Sequence, residues 1–62
     1  MNDNFFSVCD NRQEVYWYFV GAVEQVMKSY ESGEYTKVKA FNQLYEFFKD
    51  QIEWIQFLEG VL

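Results

Sequence analysis

The chain has no proline and no histidine, a single cysteine, three glycines and only five basic residues among 62. Each scarcity removes a class of protein. One cysteine cannot form an internal disulfide, and without histidine no structural zinc site of the usual kind is expected. The histidine-containing carboxylate motif of metal-binding four-helix proteins is missing for the same reason. Ten acidic residues against five basic ones give a net charge of −5, so there is no basic footprint for direct nucleic-acid binding. The longest apolar run, Val15 to Val23 around Gly21, falls well short of the roughly 20 residues of a membrane span. The start, MNDNFFSVCDN, has no basic segment leading into an apolar core and is not expected to be a secretory signal. A cytoplasmic protein with a reduced thiol is expected. If the chain is encoded by a virus, that cytoplasm is the host's.

What the chain has in quantity is aromatic side chains: seven Phe, five Tyr and two Trp. A chain this short buries only about 60% of the surface it exposes when unfolded. Small scaffolds make up the deficit with disulfides, metals, dense apolar packing or self-association. The first two are absent from this sequence. Aromatic packing and self-association remain.

The stretch from Tyr35 to Leu62 reads as one long amphipathic helix. At about 100° per residue, Phe41, Leu44, Tyr45, Phe48, Ile52, Ile55 and Leu62 share a face centred on Phe48. A second row, Phe47, Trp54, Leu58 and Val61, runs along one flank. Together they span roughly 200°, twice the ~100° stripe of an ordinary surface helix. The opposite face carries Asn42, Gln43, Glu46, Asp50 and Glu53, with Phe57 in the middle of the acids. A single neighbouring helix does not cover so wide an arc, so a further partner is implied. A strand over Tyr35 to Phe41 is the competing reading, and the unbroken helical period from Lys39 onward opposes it.

The earlier helix begins near Arg12. Asp10 and Asn11 are good N-caps, and Gln13 and Glu14 stand three residues after each, as in a capping box. Its expected core face is Val15, Tyr16, Phe19, Ala22, Val23, Val26 and Tyr30, with Tyr18, Val20 and Met27 at the edges. Glu24 and Lys28 form a favourable pair on the exposed side. Gly33 is placed to end this helix, and Thr36 or Glu34 to open the next. The organisation expected from these signals is an arm over residues 1–10, helix one over about 11–32 and helix two over about 35–60. So short a link makes the helices antiparallel neighbours. The fold class predicted is all-α: an antiparallel two-helix hairpin with an N-terminal arm, dimerising into a four-helix arrangement.

Nothing in the sequence supplies chemistry. Cys9 has no Lys or His beside it to activate it and is read as a small apolar residue. The row Glu46, Asp50 and Glu53 lies on one solvated helix face, which gives no burial to raise a carboxyl pKa. Neither a catalytic group nor a cofactor nor a metal is expected. The tyrosines suit boundary positions, ring inside and hydroxyl in water. Trp17 falls on the outer side of helix one, where it either receives Phe5 or Phe6 of the arm or serves as a binding hot spot. Gly21 in mid-helix costs about 1 kcal/mol relative to Ala and calls for a close backbone or a neighbouring ring.

The function expected is a non-enzymatic protein-binding module, an inhibitor or modulator of a larger partner. Its contacts would be Trp17, Phe47, Trp54, Phe57 and Val61, oriented by Glu46, Asp50 and Glu53. One version of this reading has the acids imitate phosphates and occupy a basic nucleic-acid-binding surface on another protein. The general type (tiny, acidic, aromatic-rich, helical, without catalytic residues) is common among proteins of phages and mobile elements that block a host machine. The alternative function is a self-assembling structural subunit whose apolar arc is used entirely in a homodimer.

Overall fold

A computed structural model describes residues 4–60. It is a hairpin of two antiparallel helices, α1 (Arg12–Glu31) and α2 (Lys37–Leu58), preceded by an arm. Among the described residues there is no strand.

Local chemistry sets the helix ends. Asn11, in extended conformation, caps α1 by accepting from the Glu14 N–H at 3.0 Å. The Glu14 carboxylate reaches back to accept from the Asp10 N–H at 2.8 Å. Two otherwise orphaned donors are thus satisfied by a reciprocal pair. Thr36 caps α2 in the same way, its hydroxyl accepting from the Lys39 N–H at 3.1 Å. Between the helices, Gly33 takes φ +87°, a left-handed conformation that costs glycine little and other residues more. Around it, the N–H groups of Ser32, Gly33 and Tyr35 donate back to the carbonyls of Lys28, Tyr30 and Ser29. Gly60 ends α2 with φ +70°. It stops the helix at Leu58, close to the end expected near residue 60.

The arm supplies the densest part of the core. Two tight turns, Ser7 N–H to Asn4 C=O and Cys9 N–H to Phe6 C=O, fold it onto the open end of the hairpin. Phe6 is completely buried among Cys9, Val15 and Trp54, with Phe19, Ile55 and Leu58 packed around them. The Trp54 indole N–H donates to the Cys9 carbonyl at 2.9 Å, which satisfies a donor that burial would otherwise leave unpaired. Toward the loop the interior is thinner, with the small side chains Ala22, Val26 and Ala40 buried.

The rotation of α2 departs from expectation. Phe48, the expected centre of its core face, is 53% exposed, and Phe41, Tyr45 and Ile52 are exposed with it. The interior takes Ala40, Leu44, Phe47, Gln51, Trp54 and Leu58 instead, a turn of roughly 80–100° about the helix axis. The apolar arc is wide enough to allow either orientation. Trp54 gains a buried hydrogen-bond acceptor in the observed one, and Ala40 lets the helices approach beside Ala22 and Val26. On α1, Val15, Ala22 and Val26 are inside as expected, whereas Tyr16 and Tyr30 are exposed.

Candidate interaction surface

The hairpin has two broad faces, and the arm lies on one. There the Phe5 ring sits 5.0 Å from Tyr18 and 4.5 Å from Phe47, with Phe6 edge-on to Phe5 at 5.1 Å. Asn4 is the polar fastening. Its amide donates to the Asp50 carbonyl at 2.9 Å and to the Glu53 carboxylate at 3.3 Å, and its oxygen accepts from the Phe6 N–H at 2.8 Å. The Phe5 N–H lies 3.4 Å from the Asp50 carboxylate.

The opposite face is bare. On α1 it presents Tyr16, Val20, Val23, Met27 and Tyr30, and on α2 Phe41, Tyr45, Phe48 and Ile52. All are exposed except Val23, which is half-buried. Both rows advance by alternating steps of four and three residues, the spacing of knobs in a coiled-coil seam. The rows run along one side of the hairpin. At its loop end Met27 and Tyr30 line a shallow groove together with Lys37, Ala40, Phe41 and Leu44. No member of either row carries a charge. Arg12 and Glu59, at the open end, neutralise each other in an ion pair.

The residues singled out from the sequence are divided between these environments. Trp17 is 69% exposed and lies at the rim of a shallow groove with Phe5, Tyr18 and Gly21. The ring contacts of the arm go to Tyr18, Phe19 and Phe47, so Trp17 is left at the surface. Trp54, expected among the partner contacts, is a core residue at 8% exposure. Phe57 stacks on its outer side at 4.7 Å and stays exposed. Phe47 is half-buried beneath the arm. Asp50 and Glu53 hold Asn4 and Phe5, while Glu46 lies 4.0 Å from Lys49. Val61, and with it Leu62 of the expected core face, lies outside the described residues.

Cys9 is buried in the core. Burial pushes its thiol pKa up, and the nearby Glu14 and Asp10 carboxylates push the same way. A neutral thiol is a poor nucleophile. Among the described residues no group of acidic side chains and cysteine is arranged to hold a metal ion, and no helix is long and apolar enough to cross a membrane.

Sequence reasoning placed most of the bare face in the core and therefore did not count it as a site. The signal was nevertheless present in the width of the apolar arc on α2. No protein-family model, curated protein or solved structure matches the chain.

Proposed function

We propose that this chain is a non-enzymatic protein-interaction module that works through the bare two-helix face. One observation carries the reading: two uncharged rows in coiled-coil spacing, side by side and uncovered, opposite a face the chain does cover with its own arm. Aromatic side chains offer about 150–250 Å² each. Eight large residues near half exposure therefore put on the order of 800 Å² in water, about what each partner contributes to a stable complex. The largest apolar patch on a typical monomer is about 300–600 Å². Helices of a partner laid into the two rows complete a four-helix arrangement. The acids on the other side of the hairpin keep the surroundings of the module soluble.

The test compares the natural chain with one carrying Phe41→Gln, Tyr45→Gln, Phe48→Gln and Ile52→Gln. Circular dichroism establishes that both are helical. Solution mass and the proteins each retains as immobilised bait are then measured. Association lost in the substituted chain, with helicity kept, supports the reading. Association equal in the two chains, or absent from both, overturns it.

A further inference from the structure

We infer that the occupant of the bare face is a second copy of this chain, with α1 of each copy lying over α2 of the other and both loops at the same end. The inference rests on the interaction surface just proposed and names its partner.

The register inside the hairpin is the starting point. Arg12 pairs with Glu59 at the open end, and Met27 and Leu44 line the same groove at the loop end. Counting turns between these two fixed points sets the bare rows level with each other rung by rung. Tyr30 stands beside Phe41, Met27 beside Tyr45, Val23 beside Phe48 and Val20 beside Ile52. The surface is thus a ladder in which each of the four α2 residues has a neighbour at matching height on α1, with Tyr16 as a fifth α1 residue beyond them.

A two-fold axis can bring such a face onto itself in two ways. An axis perpendicular to the helices stacks α1 on α1 and α2 on α2. Heights are then reversed about the middle of the face, so that Val20 and Val23 lie against Tyr30 and Met27 of the other copy, and Phe41 against Ile52. An axis parallel to the helices stacks α1 on α2 of the partner at the same height. Each copy's valines then receive the other's Phe48 and Ile52, and its Met27 receives Tyr45. Both arrangements set small side chains against large ones, so packing admits either and charge has to separate them.

Charge separates the two. On the outer edge of the α1 row stands Glu24, and on the outer edge of the α2 row, nearly level with it, stands Lys49. Within one hairpin these edges are on opposite sides of the molecule. The parallel axis brings Glu24 of each copy beside Lys49 of the other, whereas the perpendicular axis sets each edge against its own kind. Flanking pairs of this sort fix partner and orientation in helical assemblies. The size of the face agrees with the roughly 800 Å² that each partner contributes to a standard interface. A single chain with neither disulfide nor metal gains the extra core that its length denies it.

The experiment uses the full chain with Cys9→Ala, which removes the native thiol. Two variants are made in that background, Val20→Cys and Ile52→Cys, both at exposed positions. Solution mass is measured first across a concentration series. The variants are then oxidised separately and as an equal mixture. The expected result is a dimeric mass, with covalent dimer formed several-fold faster in the mixture than in either variant alone. Cross-linking of one variant with itself at the rate of the mixture overturns the arrangement, as does a dimer that cross-links in none of the three samples. A monomeric mass at all concentrations overturns the second copy as occupant. The interaction surface itself survives that outcome if bait capture still depends on Phe41, Tyr45, Phe48 and Ile52, so the two failures are distinct.

Discussion

The two faces of this hairpin are built from similar residues and treated differently by the chain. On the arm side, Phe5 and Phe6 lie against Tyr18, Phe19 and Phe47, and Asn4 closes the contact with polar bonds to α2. On the other side, Tyr16, Met27, Tyr30, Phe41, Tyr45 and Phe48 have comparable rings and chains, and among the described residues no apolar segment covers them, only the Lys49 ammonium lying over the Tyr45 ring. Hydrophobicity alone does not separate the two. The difference is that a short arm covers one face, and its polar residue finds acceptors there in the Asp50 carbonyl and the Glu53 carboxylate.

That comparison can be broken most directly at Phe6, which is fully buried. Phe6→Ala is expected to cost about 3–5 kcal/mol through lost transfer energy and the cavity left behind. In a chain this small that loss unfolds much of the population, which urea titration followed by circular dichroism at low protein concentration measures. If Phe6→Ala costs under about 1 kcal/mol, the arm does not seal the core.

Asn4→Ala is expected to cost about 1–3 kcal/mol, since it removes two donated bonds and leaves the Phe6 N–H without its acceptor. Its effect should appear as faster amide exchange in Phe6 and Cys9 while the middle of α1 is unchanged. Equal acceleration throughout would mean that the arm and the hairpin unfold as a unit.

Gly21→Ala sharpens the comparison in the opposite direction. A Cβ there meets nothing within 4 Å, so neither a close backbone nor a neighbouring ring accounts for the glycine. The substitution is expected to stabilise the chain by about 0.5–1 kcal/mol, read as a rise in thermal midpoint. No rise would indicate that this position is occupied by something outside the single chain.

The smallest effect is expected on the bare face. Ile52→Gln should change the stability of the dissociated chain by less than about 0.5 kcal/mol, as for surface positions generally. In the associated form the same substitution should lower stability by an amount that grows with the logarithm of protein concentration. A large loss at concentrations where the chain is monomeric would show that Ile52 belongs to the hairpin's own core.

Much of the fold is legible in the sequence because it is local. Asn11 with Glu14, Thr36 and Gly33 mark the helix ends by hydrogen bonds and backbone conformations that involve only near neighbours. The period of the apolar residues identifies both helices for the same reason. The candidate surface was legible only in part. An apolar arc of roughly 200° on α2 states that more than one neighbour is required, but periodicity weighs Phe48 and Phe47 alike and cannot tell which flank turns inward. Trp54 shows the limit most clearly. Its place on the flank of the apolar arc suits core and partner contact alike, and in the structure its indole N–H meets the Cys9 carbonyl, 45 positions away.

The sequence by itself determined that this is a helical hairpin, acidic, without metal-binding histidine or a disulfide, and with more apolar helix surface than two helices use. Those properties follow from composition, capping and period, which act over a few residues at a time. Only the tertiary structure decided that the arm goes to the Tyr18 and Phe47 side, and that the rows of Val20 and Phe48 are the ones left open. That choice rests on contacts between distant segments: Asn4 on Asp50 and Glu53, Phe6 against Val15 and Trp54, and the indole of Trp54 on the arm.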